Sequence, residues 1–193
     1  MSSGQKRTLA EAKPMADWLR EFLAPACERV EIAGSVRRES PMIGDIELVA
    51  IPHIETLQAP GTLFGVDTVI RDHLYDRLGV LINEKAIMPI KGYREGARMM
   101  QFATRAGLKL DLFICDVNTW AINYTIRTGS RDFSQGLFTA ANRIGLTSVG
   151  ARLQTRSGEI IPASEEIDIF RILRVKWVRP QDRTGADKIV RIK

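Results

Sequence analysis

The chain has two cysteines, two histidines and few aromatic residues, and nowhere does it carry a long apolar run. Cys27 and Cys115 lie in apolar surroundings without a CxxC spacing, which argues against a disulfide framework or a zinc ribbon and predicts two reduced core thiols. His53 and His73 are too isolated in sequence to argue for a metal site, so both read as incidental. No stretch of about 18 apolar residues occurs, and the start, MSSGQKRT, lacks the apolar centre of a signal peptide. The expectation is a soluble, intracellular, cytoplasmic protein with no membrane partner. No internal repeat or low-complexity segment is present, which argues against a solenoid.

What is there suits a globular chain. With 193 residues, 45% of them hydrophobic, it can bury one sizeable core with room for a small second lobe. The net charge of +5 suits a polyanionic partner without requiring one. The basic excess is concentrated at the end: between residues 171 and 193, eight Lys and Arg face only Asp182 and Asp187, a local charge of +6. Trp177, flanked by Val175 and Val178, is expected to pack rather than to stack on a base.

The coarse pattern is α+β. Residues 1–8 have the composition of a flexible terminus. Apolar residues from Leu9 to about Cys27 recur at helical spacing despite Pro14. Arg29 to Ile32 and Asp45 to Ile51 read as strands. A loop with Pro60 and Gly61 leads to an expected helix from about Val66 to Leu78, then to strand-like sequence toward Ile90. KGYREGARMMQFATRAGLKLDLFICD reads as two strands joined at Ala106-Gly107. After Asn118 the texture turns helical, broken once at Thr128-Gly129-Ser130. Short strands from Thr147, with a turn at Ser157-Gly158, precede a helix from Ser164 to Leu173, expected to be capped by Ser164. A lobe boundary falls near residue 117, giving a first lobe over 9–117 and a second over 118–193.

The chemistry concentrates in GSVRRESPMIGDIELVA. A strand ends at Gly34-Ser35 and the next opens on Asp45. Strand alternation puts Asp45 and Glu47 on one face while Ile46 and Leu48 point into the core. Two like charges so close need a cation between them, and hard oxygen ligands suit Mg²⁺ or Mn²⁺. Asp111, in KLDLF, supplies a third carboxylate from another strand. Gly34 permits close backbone approach to a phosphate, Ser35 adds a hydroxyl donor, and Arg37 and Arg38 add charge for the same anion.

These residues resemble the polymerase beta-like nucleotidyltransferases, and within them the DNA polymerase X family. Gly34-Ser35, Arg37-Arg38, Gly44-Asp45 and Glu47 match its glycine-serine turn, basic loop and acid-x-acid strand. TGSRDF at 128–133 resembles its thumb motif, RIGLTSVGARL the strand pair that follows, and EEIDIFRILRVKWVRPQDR its closing helix. The resemblance runs from about residue 9 to 183. It implies an α+β palm, a mixed, antiparallel-rich sheet flanked by helices, over 9–117, with a small α/β thumb lobe and basic tail over 118–193. It also implies a minimal palm-thumb form without the lyase domain, and a viral or otherwise streamlined origin.

The resemblance further implies a monomeric DNA-directed DNA polymerase that joins a deoxynucleotide from a dNTP to a primer 3′-hydroxyl on primer-template or gapped DNA, in repair. Two Mg²⁺ ions, replaceable by Mn²⁺, are implied on Asp45, Glu47 and Asp111. Gly34, Ser35, Arg38 and Gly44 are expected to hold the triphosphate and Thr128, Gly129 and Ser130 the sugar, with Arg37, Lys109 and Arg131 on DNA. The sequence departs from the family at Glu47, where Asp is usual, and at Ile126-Arg127, where an aromatic pair is usual. Ser134 and Phe138 also replace polar and basic residues. Two other readings stay open: transfer to an RNA 3′ end, a protein or a small molecule, and a non-catalytic DNA-binding module.

Overall fold

The computed structural model describes residues 6–59 and 67–192. A two-residue strand, β1 (Arg7–Thr8), precedes the first helix, α1 (Leu9–Leu23). Thr8 and Glu11 form a reciprocal cap: the Glu11 N–H donates to the Thr8 hydroxyl, and the Thr8 N–H donates to the Glu11 carboxylate at 2.8 Å. Arg7 and Thr8 pair antiparallel with Ile43 and Met42. Pro25 ends the helical pattern, and a single 3₁₀ turn replaces the expected continuation to Cys27.

Then come β2 (Cys27–Ile32), the short helix α2 (Gly34–Arg37), β3 (Met42–Ile43) and β4 (Asp45–Pro52). A hairpin follows, β5 (Ile54–Ala59) with β6 (Asp67–Asp72), where the sequence predicts a helix from Val66. The β-branched Thr68, Val69 and Ile70 favour extended backbone and tip that choice. Pro60 and Gly61 of the expected loop lie outside the described residues. The helix α3 (His73–Asn83) starts after Asp72, whose carboxylate accepts from the Tyr75 N–H at 3.0 Å.

The strands β7 (Ile87–Lys91), β8 (Met99–Thr104) and β9 (Lys109–Ile114) complete a five-stranded sheet in the order β2-β4-β9-β8-β7. All neighbours are antiparallel except β4 and β9. The helices α1 and α3 cover one face: Ala12, Ala16, Leu19, Leu74 and Leu78 pack on Ile46, Leu48, Leu110 and Leu112. Full burial of a leucine such as Leu48 contributes about 1.5–3 kcal/mol, so this layer fixes which way β4 and β9 face.

The second lobe contains α4 (Trp120–Thr128), α5 (Arg131–Arg143), the antiparallel strands β10 (Leu146–Val149), β11 (Arg152–Thr155) and β12 (Ile160–Ile161), and α6 (Glu166–Ile172). The cap of α6 is Glu165 with Asp168, not Ser164, whose backbone N–H instead donates to Asp168. α4 serves both lobes. Trp120 and Tyr124 pack on Val49, Ile51 and Phe113 of the sheet's second face, while Ala121 and Ile122 join Phe133, Leu137, Ile169 and Phe170 in the second core. The fold is α+β, and α4 leaves the other end of the second face open.

Candidate active site

The site begins at the turn after β2. The Ala33 N–H donates to the Glu47 carbonyl at 2.8 Å, and Gly34 then takes φ +61°, a left-handed conformation. A Cβ there would also overlap the Glu47 carboxylate, so glycine is required twice, by conformation and by space. The Ser35 hydroxyl is buried and has no hydrogen-bond partner among the described residues. Gly44 has open space where a Cβ would stand, just before β4.

Register brings the acids together. In the parallel pair Asp45 lies opposite Lys109 and Glu47 opposite Asp111, and in the next pair Asp111 lies opposite Gln101. All three carboxylates therefore occupy the open face, as alternation predicts. Lys109 Nζ stands 3.0 Å from Asp111 and 3.9 Å from Asp45. Gln101 Nε2 donates to the other Asp111 oxygen at 3.1 Å. Burial, reinforced by the charges of Asp45 and Asp111, pushes the Glu47 carboxyl up to about 7. Asp45 is also raised, by burial and then by Asp111, against the pull of Lys109 and Arg38.

Among the described residues, no three or more His, Cys, Asp or Glu side chains are gathered as an ion would gather them. The Lys109 ammonium stands beside Asp45 and Asp111 and offsets part of the acids' charge. The donor set nevertheless fits a hard divalent cation: it consists of carboxylate oxygens only, two of them on groups raised first by burial and then by neighbouring carboxylate charge.

The remaining predicted residues divide. Arg37 turns inward, giving Glu166 two hydrogen bonds at 2.8 and 2.6 Å and Thr128 Oγ1 a third at 2.6 Å, with its guanidinium 3.8 Å from the Tyr124 ring centre. Its donors are committed to the seam between the lobes rather than offered to DNA. Thr128 is fully buried and holds that seam. The Ser130 hydroxyl caps α5 by accepting from the Phe133 N–H at 3.1 Å. A Cβ on Gly129 would crowd the Phe133 ring at 2.6 Å, which fixes glycine there. Arg38 donates to the Thr128 carbonyl at 2.7 Å and faces Asp45 and Glu47. Arg38, Glu47, Gly129, Ser130 and Arg131 share the wall of a cleft of about 430 Å³.

Sequence reasoning missed Glu166, which also accepts from the fully buried Arg183 at 2.6 Å. Burial pushes its carboxyl up, but the hydrogen bonds from Arg37 and Arg183 outweigh this and hold it below its ordinary value. The only signal was the pattern of the closing segment. The histidines are not isolated in space: His53 and His73 stack with centroids 4.8 Å apart, and His73 Nε2 lies 3.0 Å from Glu55. Trp177 packs on Phe170 at 4.8 Å yet stays partly exposed. Cys27 and Cys115 are free, both pushed up to about 12 chiefly by burial. No helix among the described residues is long and apolar enough to cross a membrane.

With this geometry in place, residues 124–184 match the family model of the DNA polymerase beta thumb. The matched stretch opens inside α4 and takes in Thr128 to Arg131, Glu166 and Arg183, so the second lobe is similar to that thumb. The three acids lie before it. No curated protein matches the chain.

Proposed function

We propose that the chain is a metal-dependent nucleotidyltransferase of the DNA polymerase X type, in which a palm lobe and a thumb-like lobe together extend a primer with deoxynucleotides in repair or gap filling. The observation that carries the reading is the register of β4 against β9, which sets Asp45, Glu47 and Asp111 on one open face beside a thumb-like lobe. Asp45 and Glu47 would hold two Mg²⁺ or Mn²⁺ ions, and Asp111 would complete the one nearer the acceptor. Bound there, the ions supply charge neutralisation at the attacking and leaving oxygens. The chain's own residues position the reactants. The unpartnered Ser35 hydroxyl and Arg38 would take the triphosphate, with Gly34 and Gly44 keeping the approach clear.

The primer 3′-oxygen forms a bond to the α-phosphorus, the bond from that phosphorus to the leaving oxygen breaks, pyrophosphate departs and the hydroxyl proton goes to solvent. Lys109 would exchange its carboxylate partners for a primer phosphate, and Gly129, Ser130 and Arg131 would line the sugar side of the cleft. The thumb likeness favours a DNA acceptor. The second reading, transfer to another acceptor, is favoured by Ile126-Arg127 in place of an aromatic pair. A labelled primer, with and without template, given each dNTP or rNTP in Mg²⁺ and then Mn²⁺, separates them. Template-matched dNTP addition supports polymerase activity, and addition only without template or only of rNTPs supports the second reading. Binding without transfer refutes both.

A further inference from the structure

Five guanidinium groups lie against aromatic rings among the described residues: Arg29 on Trp120, Arg37 on Tyr124, Arg77 on Phe22, Arg183 beside Phe170 and Trp177, and Arg127 on Phe113. Stacking occupies the flat faces of a guanidinium and leaves its rim of N–H donors to be satisfied. Four of the five place at least part of that rim on acceptors within the protein, although Arg183 Nη2 is itself buried without a partner among the described residues. Arg29 grips Glu165 through two bonds at 2.6 and 3.0 Å, and Arg37 grips Glu166 through two. Arg183 donates to Glu166 and to the Val178 carbonyl, and Arg77 donates to the Phe22 carbonyl.

Arg127 alone donates to nothing among the described residues, and its Nε is buried without a partner. The neighbouring acids do not explain it. Glu47 and Asp111 attract the group through space, yet among the described residues no carboxylate oxygen lies within 4 Å, as one does for Arg29, Arg37 and Arg183. Instead Arg127 Cζ is held 3.8 Å from the Phe113 ring centre, on the last turn of α4. There it forms the common wall of two clefts, the one beside Glu47 and Arg38 and a second, of about 440 Å³, that also contains Arg98 and Asn123. A half-buried guanidinium with open donors costs desolvation that only an acceptor arriving from outside repays.

We propose that Arg127 is a substrate-binding residue whose free donor edge takes phosphate oxygens, a phosphate group filling the place that Glu165 and Glu166 fill for Arg29 and Arg37. The inference rests on the nucleotidyltransferase reading for the identity of its ligands, which carry phosphate in two places, the triphosphate of the nucleotide and the backbone of the primer. Phosphate matches the planar fork as carboxylate does, and a lysine at this position would keep the charge but lose the fork.

The test compares the full-length wild type with Arg127→Gln and Arg127→Lys. Affinity for dATP in Ca²⁺ and, separately, for a primer-template is measured at equilibrium, with melting temperature as the control for folding. Arg127→Gln is expected to weaken one of the two affinities about ten- to hundredfold, with melting unchanged and an intermediate loss in Arg127→Lys. Loss in the dATP arm assigns the triphosphate, and loss in the primer arm assigns the backbone. If both affinities stay within about twofold, or only the melting temperature falls, the proposal is overturned. Wild-type binding that depends on Arg127 but never leads to transfer would sink the enzymatic reading and leave the inference standing. Normal transfer with unchanged affinities would do the reverse.

Discussion

Replacing Glu166 with alanine should destabilise the protein more than any other single change at the seam. Its carboxylate accepts three hydrogen bonds, two from Arg37 and one from Arg183. The Arg183 side chain is fully buried and that of Arg37 is 18% exposed, so neither guanidinium can turn to water when its partner goes. Truncating one side of a buried pair costs about 3–5 kcal/mol, because the cost is that of a charge left uncompensated. A chain of this kind has about 5–15 kcal/mol in total. Because Arg37 belongs to the first lobe and Glu166 to the second, the loss should also uncouple the two cores into separate unfolding transitions. Glu166→Gln, which keeps one acceptor oxygen, should cost less. It should also abolish an acid-side dependence: the Glu166 carboxyl is held below its ordinary value, so its contribution is present above about pH 4.5 and is lost as pH falls through the folded value. Urea titrations of the three proteins at pH 7, repeated at intervals down to about pH 3, measure all of this. A single transition for Glu166→Ala within about 1 kcal/mol of wild type would refute the reasoning.

Other consequences follow from the same geometry. Gly34→Ala forces a left-handed alanine, about 1–2 kcal/mol, and pushes the Glu47 carboxylate aside, so melting temperature and transfer rate should fall together; retention of either value contradicts the packing at that turn. Glu47 titrates near 7 in the folded chain against about 4.5 unfolded, so the folded state holds the extra proton between those values. Metal-free stability should therefore decline by about 3 kcal/mol from pH 5 to 8, and Mg²⁺ should restore it at pH 8 but not at pH 5; a flat profile by urea titration argues against the crowded acids. Primer-template affinity should fall with salt at a log-log slope of about −0.9 for each phosphate neutralised, and a slope near zero would leave the basic carboxyl-terminal end without its nucleic-acid role.

Much of the site was readable because it depends on alternation along single strands. Asp45 and Glu47 share a face whatever the partner strand, and Asp111 needed only that Leu110 and Leu112 be buried. The break at Thr128-Gly129-Ser130 was legible for the same local reason, since Ser130 caps the helix it begins. The roles that escaped depend on distant packing. Arg37 reads as a phosphate ligand beside Arg38, yet Tyr124 and Glu166, 87 and 129 positions away, claim it. His53 and His73 read as isolated because only the β5–β6 hairpin brings their rings together. The helix expected from about Val66 starts only at His73, because a short apolar run with no clear period fits strand or helix and β-branching makes Asp67–Asp72 a strand.

The claim that three carboxylates carry metal-dependent transfer is tested most directly by single-nucleotide extension of a primer-template with wild type and Asp111→Asn, in Mg²⁺ and in EDTA. The account predicts template-matched extension by wild type in Mg²⁺ only, and a loss of at least about a thousandfold in rate for Asp111→Asn with dATP affinity within about threefold. Extension by Asp111→Asn at the wild-type rate, or by wild type in EDTA, would contradict it.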